Sequence, residues 1–513
     1  MSENFISALS ETAQKHEPNV SVTENGALGY RTTHNRLVDL NFQLSSMRNW
    51  DEDRIWKAFL LAYNENPLYS MLWLFFARDI RGGAGERRVF RTVFPRLAAE
   101  NPSMAAVLLK HVPEYGRWDD LIDIYVSSVP EKVRREAFRI IADQLAHDIA
   151  AEKAGKPVSL LGKWLPSPAT SSSGTRLRSE QLRSDLGWTP RQYRKTLVSL
   201  RKAAGVVEQK MSAREWNGID YEKVPSRAAM LYRDAFSRHD PDGYRDYIDG
   251  VENGEKTIHA AALFPHDIVH AYMDGPWDEV KPVDRTLEQQ WNALPDYSLN
   301  PSTLVVVDGS GSMSTRVGST TISCHDVARA LAIYFSERLP GPFRNTFITF
   351  SHSPHLVRFF DDALSLHSRI EVLTMHDECW NTDIEKTFRL ILDTAKDHHL
   401  KPEEMPANIL ILSDMEFDSA VEHSAGQTLF DGIAKQFADA GYQLPRLIFW
   451  NICSRSGTIP LTENDCGVAL VSGFSPAIAN MVLSGKLDPC ECLKDALDAD
   501  RYRPVREEVL SLG

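Results

Sequence analysis

The run Val305-Val306-Val307-Asp308-Gly309-Ser310-Gly311-Ser312-Met313 constrains this chain more than any other stretch. A short unbroken apolar run ending in a Gly-rich polar loop is how a central parallel strand reads as it leaves a sheet covered on both faces. Open α/β sheets place their sites at that carboxyl edge. An acid and two hydroxyls at alternate positions can converge on one point there, while Gly309 and Gly311 let the backbone turn without a Cβ penalty. Mg²⁺ prefers near-octahedral oxygen coordination and keeps several waters, so one carboxylate, a few hydroxyls and an open position suit it. The other reading of the same residues is a plain Ser/Gly connection between a strand and a helix.

Two later segments favour the metal. Asn408-Ile409-Leu410-Ile411-Leu412-Ser413-Asp414 is a second strand-like run ending in an acid, and Trp380-Asn381-Thr382-Asp383-Ile384 is a polar loop opening a helix predicted over 384–395. With these in place, the chain from about 298 to 485 resembles a von Willebrand factor A domain, a doubly wound, Rossmann-like fold. In that family a DxSxS loop, a threonine from a second loop and an acid after the fourth strand form a metal-ion-dependent adhesion site. Carried over by position, the resemblance implies Asp308, Ser310, Ser312, Thr382 and Asp414 as ligands of Mg²⁺ or another divalent cation. The DGSGS match is complete, whereas Asn381 stands where the family usually has glycine.

A chain of 513 residues, 43% hydrophobic and 25% charged, is long enough for more than one core. The net charge of −13 is unevenly spread: from Pro301 onward there are 18 Lys and Arg against 29 Asp and Glu, whereas Lys156 to Lys210 holds 11 basic and 3 acidic residues. An acidic total therefore hides a basic segment able to hold phosphates. The six cysteines, Cys324, Cys379, Cys453, Cys466, Cys490 and Cys492, show no CxxC spacing and read as free thiols in a reducing compartment. Met1 to Val20 lacks an apolar signal-peptide core and the apolar run Leu72 to Ala77 is too short for a bilayer, so a cytoplasmic protein without membrane contact is expected. HExxH, GxSxG, GxxxxGK[ST] and zinc-finger spacings do not occur. His376 and Cys379, beside Asp377 and Glu378, lack a second pair to complete a metal cluster, and His266 reads as a packed or capping histidine. The expectation is a noncatalytic protein.

The first 300 residues read as helices. Ile55, Trp56, Phe59, Leu60 and Tyr63 recur on one helical face that stops at Asn66-Pro67. Helices are then predicted over 68–80, 89–100, 103–112, 118–128 and 130–153, separated by Arg81-Gly82-Gly83-Ala84-Gly85, Asn101-Pro102 and Pro113. Short helices on tight Pro/Gly turns fit an α-solenoid of stacked pairs. The spacing of Asn66-Pro67 and Asn101-Pro102, 35 residues, echoes a helical repeat, although two copies fit coincidence equally.

The pattern breaks between Gly155 and Ser184. Pro166 to Thr175 reads as an exposed loop, flanked by Lys163 and Trp164 on one side and Arg176, Arg178 and Arg183 on the other. Thr189-Pro190 then marks a helix start that carries Arg191, Arg194, Lys195, Arg201 and Lys202 on one broad face. Such cations, interleaved with Trp164, Trp188 and Tyr193, could neutralise a nucleic-acid backbone and stack bases; the alternative is a solvated helix face with core aromatics. A second basic cluster surrounds the glycines after Arg78, where Arg81, Arg87 and Arg88 could cradle a phosphate or merely pair with acids across a tight turn.

A helical-repeat part followed by an A domain resembles the Ro (TROVE-domain) RNA-binding proteins. The likeness runs along nearly the whole chain, through Arg78 to Gly83, Tyr115 to Leu121, Lys163 to Pro166, Tyr193 to Lys195 and Ser413 to Asp418. It implies a HEAT-like ring that closes against the A domain in a monomer. Small RNA, structured or single-stranded, would bind its basic helices, with the metal as a second site that a partner's carboxylate could complete. The implied organisation is a flexible N-terminus over 1–30, a helical domain over 31–298 with a basic loop near 166–185, an A-like domain over 299–490, and a tail over 491–513 packing back on the helices. The other reading is a metal-dependent protein-interaction scaffold.

Overall fold

Asn66 closes one helix and opens the next. The computed structural model describes residues 19–274, 279–297, 302–350, 353–374, 382–418, 429–461, 467–483 and 488–512. In it the Asn66 side chain accepts from the Tyr69 amide, so helix Glu52–Glu65 passes directly into Pro67–Arg78. Asn101 does the same for Arg87–Glu100 and Pro102–Leu108, accepting from the Met104 amide. The pairing works because the asparagine caps a free N–H and the proline sits where no N–H is needed. Helices continue through Trp118–Val126, Glu131–Lys153, Pro190–Ala203, Ser226–His239, Pro241–Glu252, Pro265–Tyr272 and Arg285–Asn292.

Two expectations of irregular chain are corrected. Residues 166–185 are not one loop, since Ser173–Asp185 is a helix whose N-cap, Ser172, accepts from the Thr175 amide. The serine run supplies a cap, and Ser179 and Leu182 are buried. The segment 1–30 is also not free throughout. Residues 1–18 lie outside the described residues, but β1 (Ser21–Val22) pairs antiparallel with β2 (Leu28–Gly29), and Ala27 is buried.

After a short ribbon of β3 (Met273–Asp274) and β4 (Glu279–Val280) comes a six-stranded sheet. Its strands are β5 (Thr303–Asp308), β6 (Thr346–Phe350), β7 (His355–Arg358), β8 (Asn408–Ser413), β9 (Arg446–Asn451) and β10 (Val468–Ser472), in the order β10-β9-β8-β5-β6-β7. All pairs are parallel except the edge pair β6 and β7. The chain leaves β5 toward β6 and later returns to its other side with β8, so the order reverses between β5 and β8. That reversal opens a crevice at the carboxyl ends of the two strands.

Side chains alternate across the strands with period two. Leu304, Val306, Ile409 and Ile411 face a core closed by helices Ile384–Asp397 and Leu429–Asp439. Val305, Val307, Leu410 and Leu412 face the other way, under helix Cys324–Arg338, into a core continuous with that of the N-terminal helices. The fold is therefore α plus α/β with one shared interior. The helical segment meets the α/β part at both ends, through Arg36–Phe42 against β10 and Pro265–Tyr272 against Cys324–Arg338. At the second contact His270 Nδ1 lies 3.1 Å from Asp326 Oδ2 and Nε2 lies 3.0 Å from Thr321 Oγ1. The last helix, Arg503–Ser511, returns to pack on Pro67–Arg78 and Pro102–Leu108.

Charge is buried where the motifs Arg78 to Gly83 and Tyr115 to Leu121 meet. Fully buried Asp120 accepts from Arg78 Nη2 at 2.7 Å, from Arg91 Nε at 2.7 Å and from the Arg117 amide at 3.0 Å. Gly116 is required beside it, because a Cβ there would stand 2.6 Å from Asp120 Oδ2. Asp79, also fully buried, accepts from the Arg501 guanidinium and from Tyr502 Oη, fixing the returning C-terminal segment. Removing one member of a buried, hydrogen-bonded pair strands the other charge. Asp120→Ala should therefore cost about 3–5 kcal/mol in urea unfolding, and Arg78→Met/Asp120→Leu together should cost less than Asp120→Ala alone.

Candidate functional site

Asp308 ends β5 and Asp414 is the first residue after β8, the two strands that flank the crevice. The strands pair in register from Thr303↔Asn408 to Val307↔Leu412, so Asp308 comes level with Ser413 and Asp414 follows one residue on. Both are almost wholly shielded from solvent. Asp308 Oδ1 accepts from the Ser310 amide at 2.9 Å, and its Oδ2 accepts from Ser413 Oγ at 2.5 Å. The Ser310 and Ser312 hydroxyls lie 2.9 Å apart. Thr382, also buried, is tied to the same corner through Asp418, whose Oδ2 accepts from the Thr382 amide at 3.0 Å. The five residues read from the sequence, Asp308, Ser310, Ser312, Thr382 and Asp414, thus gather at one edge. Asn381, Trp380 and the group His376, Asp377, Glu378 and Cys379 lie outside the described residues.

The electrostatics are those of a site with negative charge to spare. Burial pushes the Asp308 carboxyl up to about 6, against the hydrogen bonds from Ser413 and Ser310. Burial, and then the neighbouring Asp308 charge, push Asp414 up to about 7, against Arg455. Two shielded carboxylates that repel each other are the form a cation site takes before a cation neutralises it. The donors are carboxylates and hydroxyls. Among the described residues no group of three or more His, Cys, Asp or Glu is placed to hold a metal. A cation held mainly by two acids, hydroxyls and water fits hard Mg²⁺ chemistry, and the set offers no imidazole or thiolate to a softer ion.

Four contributors escaped the sequence reading. Ser413 orients Asp308. Glu416, fully buried, accepts from the Arg455 and Ser456 amides through Oε1 and from the Glu24 amide through Oε2, so it shapes the loop after β9. Arg455 reaches Asp414 Oδ2 from that loop at 3.2 Å. Asn25 donates to Thr382 Oγ1 at 3.2 Å. The loop after β9 had a usable signal, since every parallel strand opens on the same edge. Asn25 had none.

The basic residues divide into two groups. Arg88 Nη1 donates to the Met47 carbonyl at 2.6 Å, Arg81 Nη1 to the Glu114 carbonyl at 2.7 Å, and Arg87 is exposed at the start of its helix. Lys163 lies over Trp164, Arg176 donates to the Thr170 and Ser171 carbonyls, Arg178 pairs with Asp123 and Arg183 with Glu180. Arg201 is turned into the scaffold, with Nε on the Gly162 carbonyl at 3.1 Å and Nη2 on that of Leu165 at 2.9 Å. Arg191, Arg194, Lys195 and Lys202 are different. They are exposed along helix Pro190–Ala203, line one open depression with Val198 and Ser199, and form no ion pair among the described residues. Among the described cysteines, Cys324, Cys453, Cys490 and Cys492 form no disulfide.

Comparison with known proteins follows the structural division. Residues 302–506 match a family model described as a domain of unknown function, DUF7788, beginning one position before β5. Residues 23–141 and 173–299 match a second domain of unknown function, DUF2828. An uncharacterized protein of Acanthamoeba polyphaga mimivirus is 29% identical over 526 residues, covering 95% of this chain and 89% of its own. No helix among the described residues is long and apolar enough to cross a membrane.

The raised carboxyls carry a stability signature. Asp414 still holds its proton in the folded chain after the unfolded chain has lost it, so stability falls as pH rises between about 4 and about 7. In EDTA, Asp414→Asn should raise the melting temperature, and by more at pH 8 than at pH 5. Equal effects at the two pH values would show that the pair carries no charge strain.

Proposed function

We propose that this chain is a noncatalytic RNA-binding protein resembling Ro, with HEAT-like helices that close into a ring against a von Willebrand factor A-type domain bearing a Mg²⁺ site. The observation that carries the RNA reading is the row Arg191, Arg194, Lys195 and Lys202, exposed and without an ion pair among the described residues. Elsewhere this surface compensates its arginines: Arg139 pairs with Glu136 and Asp143, and Arg285 with Asp249 and Glu252. Cations left together on one helix face suit a ligand that brings its own negative charges at regular intervals, as a phosphodiester chain does. Val198, 57% exposed among them, offers a sugar or base an apolar contact.

The strand order, with its antiparallel edge and its acids at the switch point, supports the A-type reading. Contact of the helical segment with the α/β part at both ends supports ring closure within a monomer. The free thiols support a reducing compartment such as the cytoplasm.

Reversing the charge of Arg191, Arg194 and Lys195 together should weaken binding of single-stranded RNA by about tenfold or more and flatten its salt dependence. Filter binding at low and high salt measures both. A triple variant that binds like the parent removes this face from the interface.

A second reading is favoured by the repelling acids Asp308 and Asp414: a docking module in which a partner's carboxylate completes the coordination of a divalent cation. Pull-downs with and without EDTA separate the two. RNA held by Lys and Arg should survive chelation, and a metal-bridged protein partner should not.

A further inference from the structure

Arg455 is a cation already present at the metal site. Its Nη1 lies 3.2 Å from Asp414 Oδ2 and donates to Thr315 Oγ1 at 3.1 Å and to the Ser312 carbonyl at 3.4 Å. Its Nε donates to Glu24 Oε2 at 2.8 Å. Glu24 belongs to the turn between β1 and β2, and the next residue, Asn25, donates to Thr382 Oγ1 at 3.2 Å and to the Glu416 carbonyl at 2.6 Å. One turn from the start of the chain therefore touches two candidate ligands, Thr382 directly and Asp414 through Arg455. The rest of the hairpin is fastened nearby: Thr23 Oγ1 donates to the Phe417 carbonyl at 2.6 Å, Gly26 bridges Asp418, and Tyr30 bridges Ile459.

This arrangement has a charge effect and an occupancy effect. The guanidinium beside Asp414 offsets part of the negative charge that draws a divalent cation, and a cation on the same oxygens would meet its repulsion. The Asn25 amide holds a lone pair of the Thr382 hydroxyl that a metal would use. The side chain at the mouth, Glu24, is itself a carboxylate, the group a docking partner would bring.

We propose that Arg455 is a displaceable resident cation and that the β1–β2 hairpin is the internal occupant of the metal face, so that divalent-cation binding and hairpin docking oppose each other. The proposal rests on the metal-site reading above. Once Asp414 and Thr382 turn their oxygens to a cation, Arg455 and Asn25 lose their partners and the turn at 23–26 loosens. Arg455 can then accept the carboxylate of an acidic partner in place of Glu24. Linkage makes the effect reciprocal: the docked hairpin lowers cation affinity by the same factor as the bound cation lowers hairpin docking, so loosening the hairpin tightens the cation.

The test uses the full chain, with Mn²⁺ titrated calorimetrically and amide exchange of residues 21–30 followed with and without Mg²⁺. Arg455→Ala should bind Mn²⁺ more tightly than the parent by about tenfold, within the usual range of coupling between sites, and Glu24→Gln by a smaller factor in the same direction. Arg455→Lys, which keeps the charge, should stay near the parent. Mg²⁺ should speed exchange of residues 21–30 in the parent, and that response should vanish in Arg455→Ala. Equal or weaker Mn²⁺ binding by a folded Arg455→Ala, or exchange of the hairpin indifferent to Mg²⁺, overturns the proposal while leaving the metal site standing. Failure of both parent and Arg455→Ala to bind Mn²⁺ saturably removes the metal reading itself, and the proposal with it.

Discussion

Arg78 and Asp79 are neighbours in sequence, both buried, and each is bound to a different part of the molecule. Arg78 holds Asp120, at the start of the helix Trp118–Val126, and Asp79 holds Arg501 and Tyr502, at the start of the last helix. Buried charges of this kind need geometry good enough to offset their desolvation, so they fix the relative placement of the elements that carry them. The helical stack and the returning C-terminus are registered against one dipeptide. That explains why much of the charge in the motifs around Gly82, Gly83 and Trp118 is turned inward: Arg78, Asp79 and Asp120 are buried against partners, while Arg81 stays exposed.

The site at the sheet edge works on the opposite principle. Asp308 and Asp414 are buried as like charges, and the hydroxyls around them supply hydrogen bonds but no positive charge. Arg455 is the cation that relieves Asp414, and it does so from a loop that also contacts the N-terminal hairpin. Strain at one place and satisfaction at the other separate the candidate site from the part of the fold that sustains it.

The candidate metal site was legible because its acids and hydroxyls are local. Asp308, Ser310 and Ser312 fall within five residues on a loop whose strand is visible as an apolar run, and Asp414 ends a second such run. Glu24, Asn25 and Arg455 were not legible, because their role depends on where a distant segment is laid across the fold. The basic helix shows a finer limit. Helical periodicity puts Arg194 and Arg201 on nearly the same face, yet Arg194 is exposed and Arg201 is bonded to the Gly162 and Leu165 carbonyls. What separates them is the short helix Leu161–Trp164, which approaches one end of Pro190–Ala203 closely enough that a Cβ on Gly162 would lie 2.7 Å from that of Leu200. Sequence pattern gives the face of a helix but not how far along it a neighbour extends.

The helix Cys324–Arg338 is buried from Cys324 through Ser336 without a break. A helix covering one face of an open sheet ordinarily keeps a polar stripe toward water. This one has sheet on one side and helix Pro265–Tyr272 on the other. The α/β part consequently has no complete surface of its own on that side, and the helical part has no complete interior without it. The two sequence regions, although matched by different family models, should therefore unfold together rather than separately, and an ancestor in which they were separate chains would have needed a different residue at nearly every outward position of that helix.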